Sequence, residues 1–187
     1  MPAKGVIIAP SDVIGFWYGE PMCRHWFRST DALDREIRAR FEGLWRQAAD
    51  GGLADWQQTA EGCLALAIVL DQFPLNMYRD EARGFETEAQ AIGVALHAIG
   101  SGFDQQLPTE QLAFLYMPLM HSENLAHQDQ SVRLFEQAGL ESNARFARHH
   151  RELVRRFGRF PHRNALLGRT STPEELAYLA SKQAFTG

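Results

Sequence analysis

Cys63-Leu64-Ala65-Leu66-Ala67-Ile68-Val69-Leu70 is the longest apolar run in the chain, and it leads without a break into Asp71-Gln72-Phe73-Pro74-Leu75-Asn76. The run is far shorter than the roughly 20 residues that a membrane-spanning helix requires, so it reads as a buried helix rather than an anchor. Its apolar residues occupy every face, and a helix of that kind is stable only when other helices enclose it. We therefore expect a central helix from about Asp55 to Gln72, with Trp56, Ala60, Cys63, Leu64, Ala67 and Leu70 among its inward residues. Proline removes a backbone N–H and pushes the residue before it out of the helical region, which predicts a stop at Phe73-Pro74.

The same phrase returns at Arg156-Phe157-Gly158-Arg159-Phe160-Pro161-His162-Arg163-Asn164, where a second helix is expected to end near Arg159. Phe73-Pro74, Asn76 and Arg79 in one copy match Phe160-Pro161, Asn164 and Arg169 in the other. A weak internal repeat and a chance recurrence of a helix stop explain this equally well.

Between and around these punctuation points the spacing is helical throughout. Leu33, Ile37, Phe41, Leu44 and Ala48 recur at intervals of three and four behind Asp31, and Gly51-Gly52 closes the pattern. Phe85, Ala89, Ile92, Leu96 and Ile99 form another stripe. A helix opening at Leu107-Pro108-Thr109-Glu110 should be bent or broken at Pro118, and further helices run up to Gly139 and from Asn143 to Phe157. Thr172-Pro173-Glu174-Glu175 has the N-cap, first-turn proline and glutamate three residues on that begin a last helix. No segment reads as a strand. The prediction is an all-α protein, a single domain over residues 1–187, with seven to eight helices packed as antiparallel pairs side by side.

Composition narrows the function classes. Two cysteines, Cys23 and Cys63, make neither a disulfide framework nor a cysteine metal site, and no metal or cofactor is expected. The start of the chain, Met1-Pro2-Ala3-Lys4-Gly5 and then Val6-Ile7-Ile8-Ala9-Pro10, lacks the long apolar region of a secretion signal, so a cytoplasmic location is expected. A net charge of -4 argues against general nucleic-acid binding. Yet Arg145, Arg148, Arg151, Arg155, Arg156, Arg159, Arg163 and Arg169 face only Glu152 within their segment, and lysine occurs only at Lys4 and Lys182. Guanidinium groups suit bidentate contact with carboxylate or phosphate.

Several polar residues fall where burial is expected. On the helix from Asn143 to Phe157 the inward face centres on His150, with Phe146, Ala147, Leu153, Val154 and Phe157 around it. The segment from Met117 to Gln130 has no clean apolar stripe, so His121 and Asp129 are expected to line an internal polar pocket with His150. Glu123 and His127 have the i, i+4 spacing of helical metal ligands, but two ligands are not a site. Asp71 sits in the last turn of an apolar helix, opposed by the helix dipole, and needs a cationic partner; Arg79 or an arginine of the 159–163 region would tie the loop through it. Arg159, Arg163 and Arg169, with His162 and Asn164, are expected either to form an anion-binding surface beside the last helix or to pair internally with Asp71, Glu123 or Asp129.

Phe16-Trp17-Tyr18-Gly19, Leu70-Asp71-Gln72-Phe73-Pro74-Leu75-Asn76, Tyr116-Met117-Pro118-Leu119-Met120-His121-Ser122-Glu123 and the stretch from Arg156 to Asn164 resemble, in order and spacing, a widespread bacterial family of uncharacterised proteins, a domain of unknown function. The resemblance spans nearly the whole chain and implies a tetratricopeptide-repeat-like array of helices. It implies no activity. Asp71, Asn76, Arg79, His121, Glu123, Asp129, Arg159, His162, Arg163 and Asn164 match the family pattern, whereas Leu75, Asn124 and His127 depart from it.

Two functions are compatible with these residues. The first is a helical binding protein with an Arg/His-lined pocket for a small anionic ligand or an acidic peptide. The second is a small hydrolase or lyase in which His121 or His150 acts as general base, oriented by Asp129 or Glu123. No recognised nucleophile motif or phosphate loop is present.

Overall fold

In the computed structural model, which describes residues 8–182 and residue 184, every regular element is helical. Residues 1–7, where no secretion signal was expected, lie outside the described residues. Helix α1 spans Pro10–Tyr18, α2 Asp31–Ala49, α3 Ala60–Ala67, α4 Phe73–Met77, α5 Glu88–Gly100, α6 Thr109–His121, α7 Leu125–Gln137, α8 Glu141–Phe157 and α9 Pro173–Leu179. Successive helices from α5 to α8 pack on one another in chain order, while α1, α2 and α5 close around α3 and the segment after it. Among the described residues no helix is long and apolar enough to cross a membrane.

The helix starts follow from local chemistry. Thr30, Thr59 and Thr172 each accept the backbone N–H three residues on, and the Glu175 carboxylate returns a bond to the Thr172 N–H at 2.8 Å, completing the capping box read from the sequence. Before α3 the chain makes a 3₁₀ turn, Ala54–Gln58, so the central α-helix begins at Ala60 rather than at Asp55. Gly62 permits that tight entry: a Cβ there would lie 2.0 Å from the Trp56 carbonyl oxygen.

Phe73-Pro74 does not stop the central helix. Ile68–Gln72 forms a π-helical turn, with the Phe73 N–H bonding to the Ile68 carbonyl five residues back, and the rod continues as α4. The lost Pro74 N–H would have met the Leu70 carbonyl, and a distant side chain replaces it. The Thr87 hydroxyl donates to the Leu70 oxygen at 2.6 Å and accepts the Trp45 Nε1–H at 3.0 Å. Tertiary contact thus overrides the local stop, as it does at Pro118, which α6 passes through to reach His121 with Phe114, Leu115, Met117, Leu119 and Met120 all buried around it.

The second copy of the phrase does end its helix, two residues early. Gly158 takes the left-handed conformation at φ 72°, donates its N–H to the Val154 carbonyl and closes α8 at Phe157. Pro161–Arg163 then forms a 3₁₀ turn.

The main core joins the buried faces of α1 to α8 around Cys63–Leu70, with Phe41, Phe73, Trp17 and Phe114 stacked or edge-on beside it. Each fully buried leucine there stabilises the fold by about 1.5–3 kcal/mol. A smaller core of Leu153, Val154, Phe160 and Tyr178 fastens α9 and the loop before it.

Candidate functional site

The π turn, with Asp71 and Gln72, packs against α6, which ends at His121, and against α5, whose first turn carries Glu88, and the 158–172 loop reaches Glu88 through Arg163. The π geometry places Asp71 in the interior, where only 4% of it is exposed. Its partner is not Arg79. His121 Nδ1 lies 2.8 Å from Asp71 Oδ1, and Gln72 Nε2 donates to the other oxygen and to the Met117 sulfur. The predicted Asp71–Arg79 tie is corrected accordingly: Arg79 reaches outward, with Nε and Nη2 on the two Asp34 oxygens at 2.8 and 3.1 Å and a further bond to Asn76. An aspartate turned into the core by an inserted residue cannot be met by a side chain of the surface loop.

A carboxylate on Nδ1 defines the neutral ring as the Nδ1–H tautomer, with the lone pair on Nε2. The His121 side chain is 17% exposed, whereas Asp71 behind it is almost fully buried.

Next to this pair lies a second one. Arg163, 6% exposed, donates from Nη1 to Glu88 Oε2 at 2.7 Å, with its guanidinium carbon 4.7 Å from the centre of the Phe85 ring and 4.6 Å from that of Phe160. Burial pushes the Glu88 carboxyl above the usual range against the opposing pull of Arg163, and the charges of His121 and Asp71 also act on it. Helix α5, which begins at Glu88, packs against the π turn that carries Asp71, so the two pairs stand on adjoining elements. His162 stands beside them; burial first, then Arg163, lowers its pKa to about 4.

The other loop residues hold the loop to the protein itself. Arg159 grips Glu175 through Nε and Nη2 at 2.7 and 2.9 Å. Arg169 grips Glu123 through both Nη atoms at 2.6 and 2.8 Å, and its Nε reaches Asn164. Asn164 Nδ2 donates to Ser171 and to Glu175. Glu123 also accepts the Phe160 N–H at 2.7 Å; burial works to raise its pKa, and Arg169 and that N–H together hold it below the ordinary value. Of the two alternatives for these arginines, internal pairing describes Arg159 and Arg169, and Glu123 is one of the expected partners.

The pocket expected from His121, Asp129 and His150 is not formed by those three. Asp129 is partly exposed on α7 and faces Arg151 at 3.5 Å, whereas His121 pairs with Asp71. His150 is buried as expected, with Nδ1 2.9 Å from the Phe146 carbonyl, and burial drives its pKa to about 3, which suits a neutral core imidazole packed on Phe160. Phe146 itself points outward. Glu123 precedes α7 rather than sharing a helix with His127, whose Nδ1 meets the Ser122 hydroxyl at 2.9 Å. Among the described residues no group of three or more His, Cys, Asp or Glu is arranged to hold a metal ion. Two shallow surface grooves occur elsewhere, one along Arg156, Phe157, Arg159 and Glu174, the other along Trp45, Arg46, Arg83 and Gln90.

The sequence reading missed Glu88. It lies one residue before Ala89 of the α5 stripe, and only its acidic character at a helix start could have marked it, a feature that ordinary helix capping explains equally well.

No curated protein matches the chain. Among solved structures it is similar to one titled "Structure of Protein of Unknown Function ATU0120 from Agrobacterium tumefaciens", with 38% identity over 91% of this chain and 96% of that one and a TM-score of 0.86. A family model described as a bacterial protein of unknown function matches residues 13–183, and the chain belongs to that family, DUF924.

Proposed function

We propose that the protein is a small enzyme of acid–base type, a hydrolase or lyase, in which His121 exchanges the proton and Asp71 orients it. The observation that carries this reading is the 2.8 Å contact between His121 Nδ1 and the buried Asp71 carboxylate. A carboxylate behind the ring fixes the base at Nε2 and stabilises the imidazolium that forms when Nε2 takes a proton from water or substrate; the same nitrogen then returns it to the leaving group. Location supports the reading. A π turn interrupts the regular hydrogen bonding of an α-helix and occurs frequently at functional sites. Two largely buried polar pairs stand here, His121–Asp71 and Arg163–Glu88, where apolar residues of similar volume would serve stability as well or better.

The alternative, a binding module for a small anion or acidic peptide, draws on the surface groove where Arg156 and Arg159 flank Phe157. Glu174 and Glu175 line the same groove and oppose an acidic partner.

The test is a panel of carboxylic and phosphoric esters and small hydroxy acids, assayed with wild type, His121→Asn and Asp71→Asn. General base chemistry at His121 gives turnover that falls by about 10²–10⁴-fold in His121→Asn. Turnover that survives His121→Asn, or the lack of any His121-dependent turnover across the panel, counts against the reading.

A further inference from the structure

The arginines around the site differ in how they use their donors. A guanidinium offers a planar fork along its Nε–Nη2 edge, the geometry that takes the two oxygens of a carboxylate. Arg159 fills that edge with Glu175, and Arg79 fills it with Asp34. Arg169 commits Nε to Asn164 and its Nη atoms to Glu123. Arg163 alone of these four leaves the edge unused among the described residues: its one hydrogen bond runs from Nη1 to Glu88, and its Nε is buried with no partner. An unpaired buried donor costs on the order of 1–3 kcal/mol, so a fold that retains one beside a proton-transfer group has reason to leave it for a ligand.

We propose that Arg163 is the substrate receptor of this site and that it takes a planar carboxylate of a small organic molecule on its Nε–Nη2 edge, next to His121. The inference rests on the acid–base reading for what happens after docking, but not for the docking itself. The Arg163 guanidinium carbon lies 4.7 and 4.6 Å from the centres of the Phe85 and Phe160 rings, and those aromatic contacts over its π surface favour ligand atoms that approach in its plane. A carboxylate satisfies that preference with both oxygens; a tetrahedral phosphate does so with two and pushes the others against the rings. Charge favours the same choice. Glu88 already pairs with Arg163, so a phosphate dianion would meet more repulsion there than a carboxylate monoanion does. Because Nε is shut from solvent, docking requires the Phe160–Arg163 turn to open locally.

The experiment follows the Arg163 Nε–H resonance of ¹⁵N-labelled protein during titration with propionate, with inorganic phosphate and chloride in parallel at constant ionic strength. Propionate is expected to move that resonance saturably in wild type and equally in His121→Asn, and Arg163→Lys, which keeps the charge but lacks the fork, is expected not to bind it. Glu88→Gln removes the nearest competing carboxylate and is expected to tighten propionate several-fold, which keeps the test open should Arg163→Lys fold poorly. An unmoved resonance overturns the proposal, as does propionate binding that Glu88→Gln leaves unchanged or weakens. Phosphate binding tighter than propionate overturns the carboxylate assignment. Propionate binding in a protein whose turnover does not depend on His121 would retain the receptor and remove the acid–base reading; His121-dependent turnover without propionate binding would do the reverse.

Discussion

Leu70–Asn76 and Phe157–Asn164 carry the same Phe-Pro phrase and end up in opposite states. The first continues as helix through a π turn, because Thr87 supplies the hydrogen bond that Pro74 cannot. The second breaks, because Gly158 offers a left-handed residue that terminates α8 before Pro161 is reached. A proline therefore defines a missing donor, and the surroundings decide whether the helix stops. In the centre the carbonyl left over is met by a side chain from another element, and the inserted residue turns Asp71 into the interior. At the edge the freed backbone is met by a carboxylate, with Glu123 taking the Phe160 N–H, and the loop that follows brings Arg163 against Glu88. The two outcomes converge, since one supplies the aspartate of the candidate site and the other its arginine.

The comparison can be broken most severely at the central copy. Leu70→Asp places an unpaired charge in the packed interior and is expected to cost more than about 4 kcal/mol, enough to prevent soluble folding; a soluble, cooperatively melting variant would show that the rod is not enclosed. Thr87→Val leaves both the Leu70 carbonyl and the Trp45 indole N–H without a partner, and should cost about 2–4 kcal/mol in chemical denaturation. A neutral result there would mean that the π turn persists without its outside donor. At the peripheral copy the effect is smaller. Gly158→Ala forces a Cβ into the left-handed region and should cost about 1 kcal/mol, with nothing within 4 Å to add a clash.

Acid separates the two regions further. His150 and His162 both pack against Phe160, and burial lowers their folded pKa values to about 3 and about 4 from an ordinary 6.5. Below pH 6.5 the unfolded chain binds protons that the folded chain refuses, so their contribution to stability is full above 6.5 and is lost as pH falls toward 4 and 3. Glu175, held down to about 2 by Arg159, adds a loss in the same direction below the ordinary carboxylate range. Amide protection factors, corrected for the intrinsic pH dependence of exchange, should therefore fall in residues 153–178 on acidification before they fall in Cys63–Leu70.

Elements that depend on near neighbours were legible in the sequence. The Thr172-Pro173-Glu174-Glu175 start, the burial of His150 and the all-helical character all rest on spacings of three and four residues, which the structure keeps. The contacts that make the site were not. His121 meets Asp71 across 50 residues, and Arg163 meets Glu88 across 75. No periodicity encodes such pairings. Asp71 shows the limit most clearly: its need for a partner could be argued from the helix dipole, but the choice of His121 over Arg79 depends on a π insertion for which Ile68–Gln72 carries no local signal.

The most direct test of the account is the tautomer of His121, read from the ¹⁵N shifts and long-range couplings of its ring nitrogens in labelled wild-type protein and in Asp71→Asn. In its neutral form the wild-type ring is expected to carry its proton on Nδ1, with Nε2 bare and available as base, and to lose that fixed tautomer when Asp71 is replaced. A wild-type ring protonated at Nε2, or one whose tautomer is indifferent to Asp71→Asn, would contradict it.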